Sequence, residues 1–238
     1  MTADHRILAW PTPGDKKPMS KALALLYLAS PALPIGAFSW SRGLESAALS
    51  GAVPDPGALK DYLSVSLTHS LGRFDLPLLY MALGAAQGPD LAALRDLNDL
   101  ALAGRESREL CLEEEEAGKA VKRLAVSLGL WPGTGFSPGF LVALPILAAS
   151  LGLTAADGAR FLESQAFAWL QNQTSAAARI MRLGQSGIHR LILALAPTVT
   201  EVSLAALALG PDDLGPGLPA MAILSARHEL EPSRLFRS

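Results

Sequence analysis

Few side chains in this sequence are of a type that does chemistry, and their spacing excludes most of it. The histidines are His5, His69, His189 and His228. None belongs to an HExxH or HxH pattern or to a CxxC partner set, so no zinc site is spelled out. The one cysteine, Cys111, lies inside a helical pattern with glutamates downstream, which disfavours the thiolate a nucleophile needs. It leaves no internal disulfide framework and suits a reducing compartment. Glu113 to Glu116 are four consecutive carboxylates, and on a helix they point around the axis. Glu109, Glu113 and Glu116 share a face, yet a hard metal wants more convergent oxygens than that. The run reads as a solvated helix face, with Arg105 and Arg108 neutralising part of its field and Glu115 paired to Lys119 four residues on. The glycines of RIMRLGQSG lack the preceding strand and following lysine of a phosphate loop, and there is no GxSxG. No catalytic residue, metal site or cofactor site is therefore assigned. The residues alone point to a binding module rather than an enzyme.

Two further stretches stand out, the first of which reads from its residues as a segment that docks two helices. The first is LASPALPIGAFSWSRGLE, from Leu28 to Glu45. Pro31 and Pro34 stop a helix from running through it, and Gly36 permits a positive φ. Phe38 and Trp40 are large apolar side chains on a connector, between Ser39 and Ser41, both good N-caps. The segment reads as helix, rigid connector, aromatic anchor, helix start. The second is the chain end, Glu231 to Ser238. Pro232 stops the helix before it, and Leu235 and Phe236 stand between Arg234 and Arg237. A free tail gains nothing from that pattern. A tail in a groove would bury the two apolar side chains while the arginines pair with carboxylates. His228, between Arg227 and Glu229, reads as a structural or interface histidine.

Helices must position these stretches. Ser20 caps a first helix running to about Ala29. Ser41 to Ser50 forms a short one, closed by Gly51. Asp55-Pro56 is a cap followed by proline in the first turn, after which Leu59, Tyr62, Leu63, Leu67 and Leu71 make one apolar stripe. Gly72 is expected to end that helix and Asp75 to open the next, running to about Ala86. Asp90 caps a helix in which Gly104 is expected to be an interruption rather than an end, with helix continuing from Arg105 to Leu128. WPGTGFSPG is a loop by its glycines and prolines. Phe140 to Leu151, a helix capped by Thr154, Ile188 to Leu209 and Ala220 to Glu229 complete the set. No segment alternates like a strand, so the expectation is all-α: a single globular bundle-like domain of about ten helices and no sheet.

Composition fits this. The chain has 238 residues, 50% hydrophobic and 18% charged, with a formal net charge of −2. That suffices for one domain with a sizeable core. Near-neutral charge gives no footprint for nucleic acid, and the aromatic content of 6% is too low for base-stacking platforms. The apolar run from Ala22 to Leu28 is far shorter than the roughly 20 residues of a membrane span, so no membrane is expected and the cytoplasm is the default. Residues 1–19 read as a flexible arm, 20–230 as the helical domain and 231–238 as a partner-docking tail. High apolar content and amide-rich faces favour a homodimer.

At this point a family resemblance appears. LASPALPIGAFSWSRGLE resembles the N-terminal LxSPxLPxGxFSYSxGLE motif of the urease accessory protein UreF family, with Trp40 where tyrosine is common. SRELCLEEEEAGKA resembles its central (T/S)REL…EE…G segment and MRLGQSGIHRLI its R…PLGQxxGQRxL segment. SARHELEPSRLFRS is similar to its C-terminal SxRHExxxxRLFRS. The blocks stand in the family's order from about Leu23 to Ser238. The resemblance implies an all-helical, dimeric, non-enzymatic scaffold. It would bind the accessory protein UreD (also called UreH), recruit the GTPase UreG and serve nickel insertion into apo-urease, without a tight nickel site of its own. It also implies partner-binding roles for Phe38, Ser39, Trp40, Glu45, Gln185, Arg227, His228, Arg234, Leu235, Phe236 and Arg237. The alternative is a helical ligand- or metal-binding domain unrelated to urease, using the Glu113–Glu116 face or a pocket under Trp40.

Overall fold

Local signals start most of the helices. The computed structural model describes residues 19–88, 90–133, 135–215 and 218–237. The expected N-terminal arm lies outside them, apart from Met19. Helix α1, Lys21–Leu28, begins where the Ser20 hydroxyl accepts from the Leu23 amide. A connector with a 3-10 turn at Ala37–Ser39 leads to α2, Leu44–Leu49. Helix α3, Pro56–Val65, starts on Asp55, whose carboxylate accepts from the Gly57 and Ala58 amides.

The expected break at Gly72 does not occur. The chain passes from α3 through a π-helical stretch, Ser66–Asp75, straight into α4, Leu76–Gln87. The Leu76 amide reaches back to the Leu71 carbonyl, five residues away, and the widened turn accommodates Pro77, which has no amide hydrogen to give. Gly72 is there for close approach instead. A Cβ at this position would lie 3.0 Å from Val202 Cβ and 2.9 Å from the Leu67 carbonyl oxygen.

The opposite error concerns Gly104. Helix α5, Leu91–Ala103, ends there, and α6, Arg108–Ser127, starts afresh with Ser107 as its cap. A Cβ on Gly104 would fall 2.0 Å from Phe74 Cζ, so the seating of that ring favours glycine here. Helices α7 (Phe140–Ser150), α8 (Gly158–Ile180), α9 (Gln185–Ala206) and α10 (Pro219–His228) complete the fold. Among the described residues there is no strand, and the protein is all-α.

Helix α7 is apolar nearly all round and lies at the centre, packed on α4 and α6. Helices α8 and α9 pack along each other, and α10 sits on α2 and α6. One cluster of buried apolar side chains runs from Ala24 through Leu63, Leu144 and Phe161 to Phe236 near the chain end. By length and composition α9 is apolar enough to cross a membrane. In this fold Ile188, Leu191, Leu195, Val199 and Val202 are buried along one face of it, while Leu193 and Leu204 are exposed.

Candidate interaction site

The two stretches singled out in the sequence meet in space. Arg42 and Gly43 both adopt positive φ, 49° and 82°, turning the chain sharply into α2. A Cβ on Gly43 would stand 3.2 Å from Leu224 Cβ, from the Met221 carbonyl oxygen and from the Ser225 amide nitrogen. The glycine thus lets α10 rest on the backbone of the first motif. The turn places Glu45, in the first turn of α2, beneath the chain end. Its Oε1 accepts from the Leu235 amide at 2.8 Å and its Oε2 from the Phe236 amide at 3.0 Å. The tail closes further through the Arg237 amide, which donates to the Ser39 carbonyl at 2.8 Å, and through a bond between Ser46 and Glu231.

His228 completes this clasp from α10. Its side chain is fully buried. Nε2 lies 3.0 Å from Glu45 Oε2, and Nδ1 lies 3.0 Å from Glu109 Oε2 on α6. Glu109 also accepts from Arg234 Nη1 at 3.1 Å. Beside it, Ser107 and Ser225 hydroxyls share a bond of 2.7 Å.

A second charged cluster anchors the start of the motif. Arg42 Nη1 donates to Asp75 at 2.9 Å and its Nε to Glu113 at 2.9 Å, while its carbonyl accepts from Tyr62 Oη at 3.0 Å. Arg105 bridges Asp75 at 2.8 Å and Glu114 at 2.7 Å. Glu114 in turn accepts from the Leu141 amide, fixing the first turn of α7. The expectation that Glu113 to Glu116 form a solvated face therefore holds only for its second half. Glu114 is buried and Glu113 mostly so, whereas Glu115 and Glu116 pair with Lys119 near the surface. The reason is tertiary: α6 presents Glu113 and Glu114 to arginines from the α1–α2 connector and the α5–α6 turn.

Burial and charge oppose each other in this cluster. Burial raises the Asp75 pKa, but Arg105 and Arg42 outweigh it and hold the carboxyl below its usual range. At Glu113 burial wins over the pull of Arg42, and the pKa is raised. A carboxyl that binds its proton more tightly when folded lowers stability as pH rises through its titration. Glu113→Gln removes that penalty at the cost of an ion pair. It is expected to leave the melting temperature at neutral pH unchanged or higher, checked by calorimetry; a drop as large as that for losing a buried pair would contradict the assignment. Burial also raises the Cys111 pKa, outweighing the pull of Arg105, and Glu115 and Glu114 add to the rise.

The structure distributes the eleven sequence-derived residues unevenly. Glu45, His228 and Arg234 belong to the clasp. Trp40 is buried, with the Arg237 guanidinium 5.2 Å from its ring centroid. The tail differs from a free arm: Phe236 is seated in the chain's own core at 6% exposure, with Arg179 5.8 Å from its ring. Leu235 is 70% exposed and Phe38 56%. Arg227 is exposed on α10. Gln185 is exposed in the first turn of α9 and is not brought into the cluster. Asp75, Arg42 and Tyr62 are structural members that the motifs did not single out, and Glu109, the glutamate of the central SREL segment, carried no assigned partner role. Among the described residues, no group of three or more His, Cys, Asp or Glu side chains is arranged to hold a metal ion.

The comparisons with known proteins fit this geometry. A model of the UreF family matches residues 53–196. A urease accessory protein UreF of Chromohalobacter salexigens is 42% identical over 217 residues, spanning 90% of this chain and 93% of its own. The chain belongs to the UreF family. A second relative, the urease accessory protein UreF of Teredinibacter turnerae, is 38% identical over 222 residues, spanning 92% of this chain and 99% of its own. UreF proteins are accessory proteins, not enzymes. The family reading is thus correct, and in this chain the first and last of the sequence stretches lock onto each other.

Proposed function

We propose that this chain is a scaffold of urease maturation that binds UreD (UreH), recruits the GTPase UreG and supports delivery of nickel, as cargo, to apo-urease. The observation that carries the reading is the likeness to urease accessory proteins across at least 90% of the chain. The geometry supports it. The clasp stiffens a surface on which Phe38, Leu235, Arg227 and Arg237 are exposed around a buried, hydrogen-bonded base. Aromatic and arginine side chains on a rigid support suit a partner-binding patch. We place the protein in the cytoplasm as a homodimer, and nickel is handled by the assembly rather than by a tight site in this chain.

The test is reconstitution. The full chain, co-expressed with UreD and UreG, is expected to co-elute with UreD, to retain UreG only when UreD is present, and to raise urease activity in cells carrying apo-urease and nickel. Alone, it is expected to scatter light as twice the 24.9 kDa chain mass. Absence of any complex with UreD, with the chain folded by circular dichroism, would overturn the reading.

A further inference from the structure

We propose that the cavity between α8 and the connector after α1 is a binding site for a small neutral molecule, an aliphatic body carrying one hydroxyl or carboxamide. The inference concerns a cavity within one chain and stands whether or not the partners proposed above are correct. The cavity measures about 80 Å³, several times the ~10–15 Å³ that admits one water. The connector supplies one wall through Leu33 and Ile35, and α4 another through Leu76 and Leu79. Exposed Pro31 and Phe38 stand among the lining residues, so the cavity reaches the surface at the connector. The prolines and aromatic of the first sequence stretch thereby frame a pocket as well as join two helices.

The wall formed by α8 is polar. Gln165, Trp169 and Gln173 recur every four residues, share one face of the helix and all line the cavity. Two amides of this amide-rich helix are thus turned inward, Gln165 at 8% exposure and Gln173 at 2%. Gln165 Nε2 donates to the Ser164 hydroxyl at 3.3 Å. Trp169 Nε1 and Gln173 Oε1 are buried, and among the described residues neither has a hydrogen-bond partner. Buried indole and amide groups normally find one, and leaving them without it costs stability. A mostly apolar pocket with a few polar groups placed together is what a small-molecule site looks like.

This pair sets the head group of the ligand. The indole N–H only donates, while a half-turn of the Gln173 amide offers the ligand either its donor or its acceptor. A hydroxyl accepts from the indole and donates to the amide, and a carboxamide does the same with its carbonyl and its N–H. A carboxylate has no hydrogen to give and would meet Glu113 and Glu114, which also line the cavity. An ammonium only donates and leaves Trp169 without an acceptor, and both glutamates are already held by Arg42 and Arg105. Either charge would be stripped of water against apolar walls.

The experiment titrates the full chain with pentanamide, 1-pentanol, pentanoate and pentylammonium. It follows the tryptophan indole N–H resonances by NMR, with Trp169 assigned through Trp169→Phe. The two neutral probes are expected to move the Trp169 resonance downfield to saturation and to leave that of Trp131 in place. The two charged probes are expected to bind at least about tenfold more weakly. Gln173→Leu keeps the side-chain volume, is expected to melt no lower than wild type, and weakens both neutral probes about tenfold, as for one lost hydrogen bond. Ala168→Leu puts a larger side chain into the same cavity and is expected to abolish the saturable shift. If that variant fails to fold, Gln173→Leu decides alone. The site is overturned by no saturable shift at Trp169 with the neutral probes, by equal binding of the charged ones, or by undiminished binding in Gln173→Leu or in folded Ala168→Leu.

Discussion

Replacing Arg105 by alanine is expected to destabilise the fold by about 3–5 kcal/mol, the range for breaking a buried ion pair from one side. Arg105 holds two carboxylates that have almost no access to water, Asp75 at 2.8 Å and Glu114 at 2.7 Å. Its own pKa is raised, with burial opposed by Asp75 and Glu114. Alanine leaves both acids in the interior with less charge to answer them. Glu114 also accepts the Leu141 amide, so the damage extends to the seating of α7 on α6. Urea denaturation of wild type and Arg105→Ala reads the difference, and a shift below about 1 kcal/mol would show that the cluster is not what binds α6 to the π-helical stretch. The pH dependence gives a second check. Asp75 is held below its ordinary value, so in the wild type its contribution is present above the unfolded-state titration and is lost as pH falls through the folded one. Without Arg105 that depression is reduced, and mild acid is expected to narrow the gap between the two proteins.

This cluster was the part of the molecule least legible in the sequence. Helix starts are local events. Ser20, Asp55 and Asp90 each bond to amides two or three residues on, and each was readable from its own neighbourhood. Glycine is ambiguous for the same reason. Gly72 and Gly104 look alike in sequence, yet one is passed by a continuous helix and the other ends one. What separates them is Val202 in the first case and the Phe74 ring in the second, contacts that no local window contains. The burial of the first half of the glutamate run is not local either, because Arg42 lies 71 positions from Glu113. A helical wheel does put Glu114, Ala117, Gly118, Val121 and Ala125 on one face, and small residues following a carboxylate on such a face mark close packing. A Cβ on Gly118 would come 2.3 Å from the Pro138 carbonyl oxygen, which is where α7's leading loop crosses. The family motifs located the clasp residues without revealing that they bond to each other. Glu45 and Phe236 are 191 positions apart.

The tail gives the other large expected effect, because the structure separates two residues that the sequence reading treated together. A tail offered whole to a partner would present both Leu235 and Phe236, and its loss would leave the fold intact. Instead Phe236 joins the core cluster and Leu235 projects outward. Phe236→Ala is expected to cost about 3 kcal/mol or more, as for truncating a buried phenylalanine. The loss is felt first as undocking of the tail, since the Glu45 and Ser39 bonds to residues 235–237 have no other anchor of that size. Leu235→Ala removes an exposed side chain and is expected to change stability by no more than about 0.5 kcal/mol. If the outward face of the tail is what UreD meets, Leu235→Ala is also expected to reduce co-purification with UreD while leaving the melting curve in place. The two substitutions thus separate the inner role from the outer one. Unchanged melting in Phe236→Ala would mean that the ring is not seated in the core. Undiminished UreD capture by Leu235→Ala would remove Leu235 from the binding surface and leave Phe38, Arg227 and Arg237 to carry it.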